Sequence, residues 1–426
     1  MIIAFFVALV FFIWAGTPIA FVMMLTALAM MLTDAAIPLM VLPQRMILGT
    51  DSFIMLAIPL FLLAGRVMNT GGITRKLFRF ASKLVGHIPG GLGHVNVVAS
   101  LIFAGMSGSA AADAAGLGLI EIQAMKEEGF DDGFSAAVTA ASSVIGPIFP
   151  PSIPFVVYGG LAGVSIARLF LGGAIPAILM VLYMMVVVYI LAKKRNYPCY
   201  RRATLKELYE ATKEAFLPLL TPVIILGSIL FGMTTPTEAA VLAVVYSIFL
   251  AYFIYRDITL KDIWEQFIEA GIESGGIMFI ISTVAAFTWL ATRQNIPQEL
   301  SAALINFATS PAVLMLITIL IFLIIGCFIT VTTGLILVVP LLAPVAEALQ
   351  MDPVHYGVLS VLVMCIGLIT PPVGLSLFIS ARIAGASTGI VIKESIPFLV
   401  ALILVSLTIA YIPITVTFLP NLLMGK

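Results

Sequence analysis

Charged residues are scarce in this 426-residue chain, and that scarcity excludes several classes of protein. Only 10% of the residues are Asp, Glu, Lys or Arg, against about a quarter in soluble globular domains. The 21 basic and 21 acidic residues cancel, so no net positive charge is available to attract nucleic acid. With 62% hydrophobic residues, the composition instead predicts an integral membrane protein.

Cysteine and histidine are nearly absent, with three of each. Neither set has the spacing of a disulfide framework or of a metal site. The residues are Cys199, Cys327, Cys365, His87, His94 and His355. We therefore expect no enzyme, no bound metal cofactor and no disulfide scaffold.

Long apolar runs account for most of the chain. A hydrocarbon core of about 30 Å requires roughly 20 helical residues, so these runs predict an all-α polytopic membrane protein. The amino terminus lacks the basic region of a cleaved signal peptide, and its run is kept as a span. The predicted spans are 2–16, 19–33, 52–68, 134–164, 169–192, 216–233, 238–255, 271–292, 357–380 and 396–420.

Two further apolar stretches, 95–125 and 312–346, do not fit a simple span. Each has small and hydroxyl-bearing residues at its centre, 107–109 in the first and 330–334 in the second. A central break converts a long apolar run into a hairpin, which a membrane tolerates only where protein or a watery cavity satisfies the opened backbone. We predict that both stretches are re-entrant helical hairpins.

The distribution of basic residues supports this arrangement, because cytoplasmic loops are enriched in Lys and Arg. With the amino terminus outside and two hairpins, all but four of the 21 basic residues fall inside. The four on the outside are Arg45, Arg168, Arg293 and Lys426. Turning either hairpin into a single span would destroy this bias.

The two halves of the chain resemble each other. Gly105 aligns with Gly326 and Gly146 with Gly367, and the latter pair each precede a Pro-Pro dipeptide. The two halves start on opposite sides of the membrane in this topology, which predicts inverted repeats. The alternative is chance similarity between apolar stretches. The predicted units are a first repeat 1–192 (broken helix 134–164), a basic cytoplasmic linker 193–215 and a second repeat 216–426 (broken helix 357–380).

Paired broken segments in inverted repeats are typical of secondary transporters, whose sites lie near the bilayer midplane. Unpaired polar side chains are costly there, whereas unwound helices supply backbone carbonyls and amides without added charge. Half-helix amino termini suit a substrate carboxylate, and half-helix carboxyl ends suit Na⁺.

At the first hairpin tip, the hydroxyls of Ser107 and Ser109 are candidate cation ligands, because hard cations prefer oxygen. Asp113 could join this site, since an acid inside a membrane rarely lacks a partner. The alternative is that Asp113 only caps the second helix of the hairpin.

The second tip carries Thr330, Thr332, Thr333 and Gly334 and has no charge. Its hydroxyls are candidate ligands, and the alternative is that each bonds to a carbonyl one turn back.

The broken helices offer a second group of candidates, because consecutive prolines at mid-membrane release backbone carbonyls. A kink without any ligand is the alternative. The residues are Ser142, Ser143, Gly146, Pro150, Pro151, Gly367, Thr370, Pro371 and Pro372.

Three charged features have an ordinary interpretation as well. Arg382 could bind a substrate carboxylate or could extend to the membrane interface. Glu238 lies in a capping box that begins at Thr235, which favours a helix start over an intramembrane site. The basic stretch from Arg75 to Lys83 is amphipathic and predicts a helix along the inner surface.

Together these motifs resemble the large membrane subunit of the tripartite ATP-independent periplasmic (TRAP) transporters, over nearly the whole chain. The motifs that carry this resemblance are Gly105 to Asp113, Pro150-Pro151-Ser152-Ile153, Thr235 to Ala240, and Thr370-Pro371-Pro372-Val373-Gly374. No four-helix block precedes Met1, so the resemblance is to the unfused form of the subunit.

The resemblance implies Na⁺-driven symport of a carboxylate-bearing anion by an elevator motion in a bacterial inner membrane. It also implies a small four-helix membrane subunit and a periplasmic substrate-binding protein as partners. We expect a C4-dicarboxylate or a sialic acid as the substrate. The implied Na⁺ sites lie at the tips and the breaks facing them: Ser107, Gly108, Ser109, Gly146, Thr330, Thr333, Gly334, Gly367 and Thr370. We add Asp113 to the predicted ion site because it lies close to the first tip in the sequence.

For the substrate we assign Ser142, Ser143, Pro150, Pro151, Thr332, Pro371, Pro372 and Arg382. The alternative function is a stand-alone anion or citrate-type permease that needs no binding protein. A passive channel and a membrane-embedded enzyme are further alternatives, and the enzyme lacks convergent catalytic side chains.

Overall fold

A computed structural model describes residues 11–12, 15–33, 37–70, 72–296, 299 and 310–425. In these residues all regular secondary structure is helical, as the sequence predicts. Helix α1, Ile19–Thr33, matches a predicted span. The predicted span 2–16 lies almost wholly outside the described residues.

The segment after α1 differs from the prediction of one span over 52–68. Helix α2, Val41–Thr50, comes first, and a 3-10 turn, Phe53–Leu56, leads into α3, Ala57–Thr70. The two parts are bent by 60° relative to each other. The bend falls at Asp51 and Ser52, where polar residues interrupt the apolar run.

The next helices include the first predicted hairpin and the first predicted broken helix. Helix α5 ends at Ser107, α6 begins at Ala110, and α7 folds back into contact with α5. The broken helix consists of α8 and α9, separated by the proline-containing segment 144–152. The bounds are α4 Ile73–Val85, α5 Gly91–Ser107, α6 Ala110–Ala115, α7 Leu117–Glu127, α8 Asp132–Ser143, α9 Ile153–Ala162 and α10 Ile166–Arg195.

The connection after α10 is shorter than the predicted linker 193–215. Helix α10 continues to Arg195, and α11, Leu205–Leu230, begins well before the predicted 216. A capping box explains the early start: the Thr204 Oγ1 accepts from the Glu207 N–H at 3.3 Å, and Glu207 Oε2 accepts from the Thr204 N–H at 2.9 Å.

The remaining helices contain the second hairpin, α14 and α15, and the second broken helix, α16 and α17. An ideal Cβ on Gly334 would lie 3.5 Å from Cγ2 of Ile325, whereas a continuous helix would hold these residues about 13 Å apart, so the chain reverses here. The bounds are α12 Pro236–Ile248, a π-turn Phe249–Ile254, α13 Leu260–Arg293, α14 Pro311–Phe328, α15 Val331–Ala348, α16 Pro353–Gly367, α17 Leu375–Ala384, α18 Thr388–Tyr411 and α19 Ile414–Met424.

The predicted single span 396–420 is wrong. Helix α18 ends at Tyr411 and α19 begins at Ile414, because Pro413 lies between them and cannot continue a helix. Of the described helices, seven are long and apolar enough to cross a membrane, or eight if α2 and α3 count as one bent span.

Helix α4 has the amphipathic pattern predicted for the basic stretch after Arg75. Its basic side chains form ion pairs with α11 and with the loop before α13: Arg79–Glu214 at 2.9 Å, Lys83–Glu207 at 3.6 Å and Lys76–Asp257 at 3.5 Å. These pairs attach α4 to the surface of the bundle.

Helix α13 positions the candidate site. It packs against α1, α2 and α3 along one side and also contacts α15 of the second hairpin. Within the second half, α14 packs closely on α16, so that the hairpin and the broken helix form one packed unit.

Candidate functional site

The first hairpin tip is a tight turn with an unused hydroxyl. Gly108 adopts φ +58, a left-handed conformation that favours glycine, and Ser109 Oγ accepts from the Ala112 N–H at 3.5 Å. Ser107 is 4% exposed, and within the described part of the chain its Oγ has no hydrogen-bond partner. A buried hydroxyl without a partner is costly, so Ser107 fits the predicted cation ligand.

Asp113 does not cap the second helix of the hairpin, because that cap is Ser109. Asp113 is 1% exposed, and Ser100 is a side-chain hydrogen-bond partner of its carboxylate. Glu121, one helix further, is also 1% exposed, and its Oε1 has no hydrogen-bond partner among the described residues. The sequence analysis missed Glu121, although an acid inside the apolar run 117–122 is a visible signal.

The first tip lies directly against the first broken helix. An ideal Cβ on Gly108 would lie 2.8 Å from the Pro151 carbonyl oxygen. One on Gly146 would lie 3.6 Å from the Ser109 carbonyl oxygen. The peptide between Pro150 and Pro151 is cis. The turn of the first tip and the proline-containing break are therefore packed directly against each other.

Ser142 and Ser143, the predicted substrate ligands of the first broken helix, form hydrogen bonds within the protein. The Ser142 hydroxyl donates to Asn96 Oδ1 at 2.7 Å. The Ser143 hydroxyl donates to the Ala140 carbonyl at 2.8 Å and lies 3.3 Å from Ser376 Oγ. Both are buried, and they stabilise the packing of α8 on its neighbours.

The second tip pairs two of its predicted ligands with each other. The hydroxyls of Thr330 and Thr333 are 2.9 Å apart, so each keeps lone pairs for a further partner. This differs from the alternative in which each threonine bonds to a carbonyl one turn back. Gly334 is buried against the end of the Met364 side chain, which would have to move to admit a Cβ.

The second broken helix lies against the end of α14, as the first lies against its own tip. An ideal Cβ on Gly367 would lie 2.5 Å from Gly326. The Cys327 thiol donates to the Thr370 carbonyl at 3.1 Å, and the Cys327 carbonyl accepts from the Gly374 N–H at 3.1 Å. Some carbonyls opened by this break are therefore satisfied by Cys327 and its neighbours. The Pro371–Pro372 peptide is cis.

Two adjoining cavities lie at the tips, and one of them is lined by both. The first, here called the tip cavity, has a volume of about 300 Å³ and is lined by both tips and by α13 around Gly276 and Ile280. The second, the mouth cavity, has about 520 Å³ and lies between the first tip and α3. Ser109 and Glu273 line both cavities.

The structure thus brings some of the predicted site residues to the cavities and leaves others in the surrounding wall. Those that line a cavity are Ser107, Gly108, Ser109, Thr330, Thr332 and Thr333. Those that line neither cavity are Asp113, Ser142, Ser143, Gly146, Pro150, Pro151, Gly334, Gly367, Thr370, Pro371, Pro372 and Arg382. Arg382 is exposed in the last turn of α17, as its interfacial interpretation predicts.

A third and larger cavity, of about 1170 Å³, contacts α13 at Thr288 and Thr292. The mouth cavity contacts the same helix at Gln266 and Glu273, and the tip cavity contacts it between Glu273 and Ile280. The three cavities therefore follow one another along α13. We call the third one the far cavity; Arg168 and Glu347 are its charged lining residues.

The hairpin tips carry uncharged oxygen atoms. No group of three His, Cys, Asp or Glu side chains that could hold a metal ion occurs in the described residues. Uncharged hydroxyl and carbonyl oxygens are the polar groups at the tips, and hard cations prefer oxygen ligands.

Comparison with known proteins identifies the family. The family described as "Tripartite ATP-independent periplasmic transporter, DctM component" matches residues 6–415. The sialic acid TRAP transporter large permease protein SiaM of Vibrio cholerae is 41% identical, over 97% of each chain. The C4-dicarboxylate TRAP transporter large permease protein DctM of Pseudomonas aeruginosa is 38% identical, over 87% of each chain. The YdaH transporter of Alcanivorax borkumensis has a similar fold, with a TM-score of 0.63 at 14% identity over 87% of this chain and 86% of its own.

Proposed function

Because this chain belongs to the DctM family of tripartite ATP-independent periplasmic transporters, we propose that it imports a carboxylate-bearing organic anion together with Na⁺. The observation that carries the proposal is the meeting of two hydroxyl-bearing hairpin tips at one cavity on α13. Such a cavity offers oxygen ligands to a cation and half-helix amino termini to a carboxylate.

Sodium binds at the tips in this proposal. Ser107 supplies a buried hydroxyl without a protein partner, and Thr330 and Thr333 supply two adjacent hydroxyls. The backbone of Gly146 lies against the first tip, and Gly367 and Thr370 lie against the end of α14. The close approaches support a site in each half, with carbonyl oxygens of the breaks completing the coordination.

Sialic acid is the first candidate substrate and a C4-dicarboxylate is the second. Two permeases named for sialic acid are 41% and 42% identical to this chain, and two named for C4-dicarboxylates are 38% and 37% identical. The tip and mouth cavities have volumes in the range of small-molecule sites, which supports either acid.

Two partners belong to the proposal. The name of the family implies a tripartite assembly, and we propose a small four-helix membrane subunit and a periplasmic binding protein as the other components. The outer face of α11 and α13 exposes large apolar and aromatic side chains, including Phe216, Trp264 and Phe267, which lipid or the small subunit would cover.

Transport in this proposal follows α13. The order of the three cavities along that helix supports an elevator motion, in which the unit of hairpins and broken helices slides past α13. The basic-residue bias supports an orientation in a bacterial inner membrane with the mouth cavity on the cytoplasmic side, the far cavity on the periplasmic side and the amino terminus outside.

Uptake into proteoliposomes tests the proposal. The chain is reconstituted with its small membrane subunit, the binding protein is added outside, and labelled sialic acid or succinate is supplied with an inward Na⁺ gradient. We expect accumulation that stops when Na⁺ is equal on both sides. Accumulation without the binding protein would favour a stand-alone permease, and equilibration without accumulation would favour a passive channel.

A further inference from the structure

Arg66 of α3 binds two carboxylates of α13 at once. Its Nη1 donates to Glu269 Oε2 at 2.5 Å, and its Nη2 and Nε donate to Glu273 Oε2 at 2.7 and 3.2 Å. The side chains are 30%, 59% and 42% exposed for Arg66, Glu269 and Glu273. The three residues therefore form a solvent-accessible cluster with one excess negative charge.

This cluster lies on the path between the tips and the solvent. Arg66 lines the mouth cavity, and Glu273 lines both the mouth and the tip cavity. Among the described residues that line these two cavities, Arg66 is the only Lys or Arg. Gly65, its neighbour, allows close contact with the tip, because an ideal Cβ there would lie 3.0 Å from Ser107 Cα.

An anion that leaves the tip cavity through the mouth enters a cavity that this guanidinium lines. The extra carboxylate of the cluster repels the anion, so the anion binds Arg66 well only where it replaces Glu273. Partly exposed ion pairs are weak, and a guanidinium can donate to any carboxylate in the same forked geometry. Exchange of one carboxylate for another at Arg66 is therefore easy in both directions.

We propose that Arg66 is a transient ligand for the substrate carboxylate at the mouth, and that Glu273 competes for it and displaces the substrate. The inference rests on the proposed function, since it requires an anionic passenger. It assigns opposite roles to the two partners: Arg66 retains the anion, and Glu273 promotes its release.

Opposite changes in affinity test this assignment. The two membrane subunits are placed in lipid nanodiscs at saturating Na⁺, and the dissociation constant of labelled sialic acid or succinate is measured for Arg66→Gln and Glu273→Gln. We expect Arg66→Gln to raise the dissociation constant by about threefold and Glu273→Gln to lower it by about threefold. In proteoliposomes, Glu273→Gln should also turn over more slowly, because release lacks the competing carboxylate.

The matched control is the Arg79–Glu214 pair, which is also a partly exposed arginine–glutamate ion pair but lines neither cavity. Arg79→Gln and Glu214→Gln should leave the dissociation constant unchanged. If both variants of the Arg66 pair shift affinity in the same direction, or not at all, the pair is only structural and the inference is wrong.

Two further outcomes also test the inference. Should Arg66→Gln fail to assemble, Glu273→Gln decides alone, since a dissociation constant that rises or stays constant contradicts the inference. A wild-type complex that binds and transports neither acid contradicts the proposed function itself, and the inference fails with it.

Discussion

At the scale of single residues, the tips differ in how much of their bonding capacity the protein uses. Ser107 keeps its hydroxyl unpaired although it is buried, whereas Ser109 accepts a hydrogen bond as a helix cap. Thr330 and Thr333 bond to each other and keep lone pairs free. Since a buried, unpaired hydroxyl lowers stability, its position at the turn supports the proposed role of Ser107 as a cation ligand.

Removal of these hydroxyls should weaken Na⁺ coupling. Ser107→Ala or Thr333→Ala removes one oxygen ligand, and we expect the Na⁺ concentration for half-maximal uptake to rise by about tenfold for each. The measurement is the initial rate of uptake in proteoliposomes against external Na⁺. Thr212→Ala is the control, because Thr212 bonds only to the Leu208 carbonyl, on α11. An unchanged Na⁺ dependence in both tip variants would remove these residues from the ion site.

The role of a charged residue can be predicted from the sequence when its hydrogen-bond partners are close to it in the chain. Glu238 accepts from the Thr235 N–H at 2.7 Å, three residues away, and its capping role is confirmed. Arg66 and Glu273 are 207 residues apart, and no pattern in one sequence connects them. The tips were predictable because small and hydroxyl residues interrupt an apolar run. The mouth was not, because it forms only when α3 packs beside α13.

At the scale of elements, the interruptions within apolar segments were predicted better than the ends of the helices. Both hairpin turns and both proline-containing breaks occur where glycine, serine and proline predict them. The extra helix α2 was missed because its apolar content is diluted by Gln44 and Arg45. The early start of α11 was missed because a capping box extended the helix beyond its apolar part. Hydropathy thus locates apolar segments, and polar caps decide where helices end.

Contact between a tip and its broken helix should be sensitive to a single methyl group. Gly108→Ala introduces a Cβ 2.8 Å from the Pro151 carbonyl oxygen in addition to a left-handed φ, so we expect uptake to fall by about tenfold or more. Gly385→Ala is the control, because Gly385 has φ +67 with open space around its Cβ. It shares the backbone cost, about 1 kcal/mol, without the steric clash.

Comparison of Gly108→Ala with Gly385→Ala separates the effect of backbone strain from that of the steric clash with the broken helix. Uptake should be measured at equal amounts of protein in the membrane, with the thermal midpoint of unfolding in detergent as a second measurement. If Gly385→Ala reduces uptake as strongly as Gly108→Ala, then backbone strain alone explains the loss, and close approach of tip and break is not required.

At the scale of the whole molecule, function depends on which end of α13 faces which compartment. Three cavities lie in order along this helix, and the cluster of Arg66 with two glutamates lies at one end of the series. Import requires the tips to reach both ends alternately, and the ion-paired mouth must be the cytoplasmic end for Arg66 to act in release. The orientation is therefore the premise shared by the proposed mechanism and by the role of Arg66.

Cysteine labelling can determine this orientation directly. Cys199, in the connection between α10 and α11, is exposed, while Cys327 and Cys365 are buried. With the amino terminus outside, a membrane-impermeant maleimide should label Cys199 only after spheroplasts are permeabilised. In a Cys199→Ser background, Asp51→Cys at the exposed end of α2 should react in intact spheroplasts, because it lies on the opposite side. The reverse pattern would place the mouth outside, and an import mechanism with release at Arg66 would then be wrong.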